Sequence, residues 1–190
     1  MTGPRETVAE RFLALNGDHP MTPADDAYVT EHYATLDEIC AGRRETPDEL
    51  REHILAGRLP LPGYLRSDGA EMVHRDYLAL PDEHGLHALP EIFGDEYPAY
   101  LSGRYVCLKS VTAANIRRKD ELVVAIEAGT ADPRPADGVR RDELRALVDE
   151  LDLLEPPFTD YDRLRFGGPV SRDRCIVAVR RDHLGATLTA

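Results

Sequence analysis

The stretch TLDEICAGRRETPDELREHILAG, residues 35–57, carries the reading of the fold. Thr35-Leu-Asp-Glu38 and Thr46-Pro-Asp-Glu49 are both capping boxes: the hydroxyl accepts from the backbone three residues on, and the carboxylate reaches back to the first amide. Pro47 occupies the first helical position, where a missing N–H costs nothing. Leu50, Ile54 and Leu55 then form a narrow apolar stripe, and Gly57 is free to take the left-handed conformation that ends a helix. The spacing predicts two short helices joined by a tight turn, the second running from Thr46 to Ala56. Beyond it, Leu59-Pro-Leu-Pro62 must run extended, and Gly63-Tyr-Leu65, Ser67-Asp-Gly69 and Glu71-Met-Val73 read as strand, turn and strand. His74 to Leu80 predicts one more short helix. Residues 35–80 thus have the pattern of a winged helix-turn-helix, whose second helix normally reads the major groove of DNA.

The charge opposes that use. The 190 residues hold 35 acidic and 23 basic side chains, a net charge of -12, and a duplex-binding surface must neutralise phosphates with Lys and Arg. The helix in the reading position offers Asp48, Glu49 and Glu52 against a single Arg51. Nucleic acid is therefore not the expected partner.

Outward from the module the chain is mainly helical. Glu6 to Leu15 places Val8, Phe12 and Leu15 on one face and closes at Asn16-Gly17; Thr22-Pro-Ala-Asp25 caps a helix through Tyr28, Val29 and Tyr33. Residues 81–98 read as an irregular acidic segment. Ser110 or Thr112 caps a helix through Ile116, Val123 and Ile126 to Gly129, residues 132–138 read as a loop, and Leu144, Leu147, Val148, Leu151 and Leu154 form an amphipathic stripe stopped by Pro156-Pro157. Ser171 to His183 reads as a final helix. The expected architecture is mainly α with one small hairpin: an N-terminal extension helix over 1–21, the winged module over 22–90, and a helical part over 91–190 packed with it into one compact unit.

With 42% hydrophobic residues the chain can bury a proper core. It has no apolar run of about 18 residues and no signal-peptide pattern, so a cytoplasmic location and no membrane partner are expected. Cys40, Cys107 and Cys175 are odd in number and widely spaced, as free buried thiols would be. Nucleotide and nicotinamide signatures are missing and no cofactor is expected; His84-x-x-His87 lies in a Pro- and Gly-rich segment without a third ligand at a recognisable spacing, so no metal is expected either.

Two stretches escape the acidity. Arg104, Lys109, Arg117, Arg118 and Lys119 lie between Glu96 and Asp120 without one intervening carboxylate; Arg163, Arg165, Arg172, Arg174, Arg180 and Arg181 face only Asp173 between Asp162 and Asp182. If they pack together, Arg104, Lys109, Arg118, Arg165 and Arg172 bind an anionic small molecule. Tyr64, His74, Asp76 and Tyr77 follow the hairpin closely enough to share a wall beside it, and form the candidate acid–base set.

The motifs Tyr28-Val-x-x-His-Tyr33, Leu36-Asp-Glu-Ile-Cys40, Gly57-Arg-Leu-Pro-x-Pro-Gly-Tyr64, Asp76-Tyr77, Tyr100-Leu-Ser-Gly-Arg-Tyr105-x-Cys107-Leu, Thr112-x-x-Asn-Ile-x-Arg-Lys119 and Arg165-Phe-Gly-Gly-Pro-Val-Ser-Arg-Asp-Arg174 resemble an uncharacterised actinobacterial family associated with natural-product biosynthesis. The resemblance spans about Asp25 to His183, and residues 1–24 look like an addition to it. It implies secondary metabolism and carries no established reaction. Three functional readings follow: a small enzyme or enzyme subunit acting on an anionic intermediate by condensation, cyclisation or elimination; a winged-helix regulator; or a non-catalytic partner of a biosynthetic enzyme or carrier protein.

Overall fold

The computed structural model of the chain describes residues 3–131 and 138–185. The expected loop over 132–138 lies, but for Gly138, outside them. The first elements are α1 (Pro4–Asn16), α2 (Pro23–His32), β1 (Ala34–Thr35), α3 (Leu36–Cys40), α4 (Pro47–Leu55), β2 (Tyr64–Leu65) and β3 (Glu71–Val73). The three strands form an antiparallel sheet in the order β1-β3-β2, with Ala34 opposite Val73, Thr35 opposite Met72, and Tyr64 also opposite Met72. From α2 to β3 this is the winged helix-turn-helix order. The third strand, β1, is only two residues long and merges into the cap of α3, so no alternating pattern announces it.

Capping boxes set the starts of three helices. Thr22, Thr35 and Thr46 accept from Asp25, Glu38 and Glu49, whose carboxylates return the bond to the capping amides at 2.8, 2.7 and 2.7 Å. Val8, Leu36, Cys40, Leu50, Ile54, Leu59, Val73, Tyr77 and Leu78 close one core. Val8 makes α1 part of that core rather than an appendage. Phe12 is buried beside it in α1, Arg11 donates to the last carbonyl of α4 at Leu55 (2.9 Å), and Arg5 donates to Gly69 in the β2–β3 turn (2.9 Å).

Two expectations need correction. Residues 74–78 are turns, with Tyr77 and Ala79 amides bonded to the carbonyls three residues back, and the helix expected from His74 begins at α5 (Ala79–His84). The segment 81–98, expected to be irregular, continues as α6 (Leu89–Phe93) and α7 (Tyr97–Leu101) with 3₁₀ turns between them. Its prolines do not break these helices, because Pro90 and Pro98 sit in first turns where no N–H is required. Its glycines end them, Gly85 closing α5 and Gly94 closing α6; just past α7, at Gly103, φ is +69° and a Cβ would stand 2.2 Å from the Leu61 carbonyl oxygen, so only glycine lets the end of α7 lie against the chain leaving α4.

The rest comprises α8 (Ala113–Ala131), α9 (Gly138–Leu154), α10 (Asp160–Phe166), a π-helical stretch (Arg172–Val177) and α11 (Ala178–Asp182). The residues group into two compact units, Met1–Val106 with Thr159–Arg165, and Cys107–Phe158 with Phe166–Ala190. The first therefore extends past the boundary expected near residue 90 and takes α10 back from the C-terminal half. In the second, Leu122 and Ile126 of α8 pack with Leu144, Val148 and Leu151 of α9 and with Cys175, Ile176 and Val179. Among the described residues no helix is long and apolar enough to cross a membrane.

If α1 is a core element, Phe12→Ala should cost about 3–5 kcal/mol, the usual loss for emptying a buried aromatic site, while Leu13→Ala on its half-exposed face should change stability by about 0.5 kcal/mol or less. Urea denaturation followed by circular dichroism measures both. Equal effects would mean that α1 is peripheral.

Candidate functional site

The acid–base candidates are not gathered into one open wall. Tyr64 is fully buried in β2; its hydroxyl donates to Asp162 Oδ2 (3.1 Å) and its ring meets Tyr33 edge-on, centroids 4.9 Å apart. Arg165 of α10 lies over the same ring, 4.4 Å from its centroid, pairs with Asp162 at 3.0 Å and donates to the Gly63 carbonyl at 2.7 Å. Burial pushes the Tyr64 and Tyr33 phenols well above their ordinary range. Tyr77 belongs to the apolar core, donates to the Pro60 carbonyl (2.6 Å) and is likewise pushed up by burial. A phenol used in proton transfer near neutrality needs a shift in the opposite direction. His74 is half-buried with its ring edge-on to Tyr33, and Asp76 is exposed.

Of the cation candidates, Arg165 is thus an interior residue of the first unit, and Arg104 is an exposed one. The others lie in the second unit and do converge. Lys109 Nζ donates to the Asp152 carbonyl (3.3 Å), Arg118 binds Glu150 through two bonds of 2.6 and 2.7 Å, and Arg172 pairs with Asp152 (2.5 Å) and donates to the Glu155 carbonyl (3.4 Å). Arg180 bridges Asp149 and Asp152 at 2.8 and 2.9 Å. Both basic stretches therefore meet on the last turns of α9, where carboxylates and terminal carbonyls concentrate negative charge. The anion that draws them together belongs to the chain itself.

At the centre of this cluster is Glu155, which sequence reading missed. It follows the last residue of α9 and is wholly buried; Ser171 Oγ donates to its Oε1 (2.5 Å) and Lys119 Nζ stands 3.7 Å away. Burial raises its carboxyl above the usual range, outweighing Ser171, Lys119 and Arg172. Burial also drives Cys107 up to about 11 and raises Cys40 and Cys175. Thiols shifted upward are poor nucleophiles. Among the described residues no three or more His, Cys, Asp or Glu side chains are placed to hold a metal.

The helix in the DNA-reading position is changed in a second way. Arg51, its sole arginine, is buried: it meets Glu71 of β3 through Nε at 3.0 Å and through its terminal nitrogen at 2.5 Å, and Asp48 at 2.7 Å. The exposed positions of α4 are then Asp48, Glu49 and Glu52. In the same unit, α2 and the β2–β3 turn border a shallow cleft of about 550 Å³ lined by Asp26, Thr30, Glu31, Arg66 and Asp68. Its one arginine is internally spent, since Arg66 grips Asp68 through two bonds and holds its carboxyl down to about 2.

Fold and surface together define a winged-helix unit with an acidic reading helix, joined in one chain to a helical unit organised around the end of α9. Residues 67–184 match the model of a family of unknown function, DUF6058. The chain belongs to that family. No curated protein and no solved structure matches it.

Two measurements test these electrostatics. Arg51→Met leaves Glu71 charged and buried without its partner and should cost about 3–5 kcal/mol, whereas Arg51→Met with Glu71→Leu should recover most of the loss; urea midpoints that are equal for the two variants would contradict this. For Glu155 the sign is set by a raised folded value: the folded state holds the proton more tightly than the unfolded chain. Its contribution is complete below the ordinary carboxylate value of about 4.3 and is lost as pH rises through the folded value. Glu155→Gln should therefore gain stability relative to the parent as pH increases over that window, and a pH-independent difference would refute the shift.

Proposed function

We propose that the chain is a non-catalytic binding protein of secondary metabolism, which uses the α4 face of its winged-helix unit to hold a protein partner with a basic surface. The observation that carries this reading is the solvent face of α4, which displays Asp48, Glu49 and Glu52 while Arg51 is turned inward to Glu71. Phosphates are repelled by such a face, and a lysine- or arginine-rich protein surface is attracted to it over roughly a Debye length. The resemblance of the sequence motifs supports the pathway context. The regulator reading would need cations where these carboxylates stand. A second reading, a small enzyme acting on an anionic intermediate, is favoured by the meeting of both basic stretches at α9, although Tyr64 and Tyr77 have committed their hydroxyls elsewhere.

Immobilised parent protein and its Asp48→Lys/Glu52→Lys variant, exposed to a lysate of the producing cells, test the proposal. The parent should retain a basic protein that is released by moderate salt and is not retained by the variant. In parallel, fluorescence anisotropy with a labelled DNA duplex at low salt should show no saturable binding by the parent. Submicromolar, steeply salt-dependent duplex binding would restore the regulator.

A further inference from the structure

The end of α9 holds more than a structural ion cluster. Four cations, Lys109, Lys119, Arg172 and Arg180, surround three carboxylates, Asp149, Asp152 and Glu155. The first two carboxylates are matched by the arginines, and burial notwithstanding, Arg180 and Arg172 hold Asp152 below its usual range. Glu155 is different. Only its Oε1 is engaged, by Ser171; its Oε2 is sealed from solvent and receives no hydrogen bond. Lys119, the cation nearest to it, stands beyond hydrogen-bonding distance at 3.7 Å, and its side chain retains 13% exposure, which gives the cluster a route to the surface. The groups that act on Glu155 from the surrounding elements are Lys119 of α8 and Ser171 and Arg172 at the start of the π-helical stretch; its charge in turn reaches Cys175 of that stretch and Cys107 ahead of α8.

We propose that Lys119, Glu155 and Ser171 form a proton-linked binding site for a small oxyanion. A buried carboxyl and a half-buried ammonium can be balanced in two ways. Either Glu155 is ionised and serves as the counter-ion of Lys119, at the cost of a desolvated charge with an unsatisfied oxygen, or Glu155 is protonated and an external oxyanion takes its place beside Lys119. In the second state the neutral carboxyl no longer competes for Lys119, Lys119 supplies the charge for the anion, and Ser171 keeps Oε1 in position. One proton enters with each anion, and no covalent bond is made or broken. The inference does not depend on the partner-binding face of α4, which lies in the other unit. Sulfate and acetate separate tetrahedral from carboxylate ligands.

The test is thermal melting of the full chain in sodium sulfate or sodium acetate against sodium chloride of equal ionic strength, at pH 6 and pH 8. Sulfate is the principal probe because it does not titrate in that interval. A preferred anion should raise the melting temperature over the chloride control by about 3–6 °C once it is tenfold above its Kd, with an affinity that increases by up to about tenfold for each pH unit of acidification. Lys119→Met should abolish the effect and Lys119→Arg should keep it, with circular dichroism confirming that each variant is folded. Glu155→Gln, which retains a donor but no titrating proton, should bind with the same affinity at both pH values. The proposal is overturned if neither anion exceeds chloride, if stabilisation survives in Lys119→Met, or if Glu155→Gln keeps the parent's pH dependence.

Discussion

The pair between Arg51 and Glu71 is the interaction on which the first unit turns. It joins the middle of α4 to the central strand of the sheet, both side chains almost completely buried, and by doing so it fixes how the second helix of the helix-turn-helix lies on β3. Such a pair contributes little net free energy compared with apolar residues of the same size, but neither member can be lost alone without leaving a bare charge inside. Its second effect is on the surface. The only guanidinium that α4 has to offer a phosphate is consumed, so one contact supplies geometry and removes a chemistry at once.

The second unit is organised around a helix end rather than a pair. Negative charge gathers at the C-terminus of α9 from Asp149, Asp152, Glu155 and the terminal carbonyls, and cations from both basic stretches close over it. This gives a structural use to four of the cations in the two long intervals that hold hardly any carboxylate. Lys109 and Arg118 from one interval and Arg172 and Arg180 from the other are partners of α9, placed on either side of it in the chain and returned to it by the fold.

What was legible in the sequence was local. Thr35, Thr46 and Thr22 announce their helices because a capping box is completed within four residues, and the stripe from Leu144 to Leu154 shows its period directly. Thr159-Asp-Tyr-Asp162 is the same signature and marks α10, with Asp162 returning to the Thr159 amide at 3.2 Å, but it is hidden between Pro156-Pro157 and Gly167-Gly168. The run of short helices from Ala79 to Leu101 was obscured by its own punctuation, since prolines that begin helices and glycines that end them look, in a string, like loop composition. Arg51 and Arg165 each have one partner three residues back, Asp48 and Asp162, but their distant partners and those of Glu155 were beyond local reading. Arg51 meets Glu71 across 20 residues and Arg165 meets Gly63 across 102, and no spacing rule connects such positions. The basic stretches were visible as charge, and their counter-ion was not.

The match to the family begins at residue 67, within the turn that joins β2 to β3. β3 is the middle strand of the sheet and is paired on one edge by β1 and on the other by β2. A fragment cut at the family boundary would therefore start with a strand stripped of both neighbours, presenting two open hydrogen-bonding edges and a glutamate that had lost its arginine. Edges of that kind recruit one another. Any attempt to express the family segment by itself should be read as a test of aggregation before it is read as a test of activity, and the shortest soluble piece that retains β3 must also carry the residues from β1 through β2.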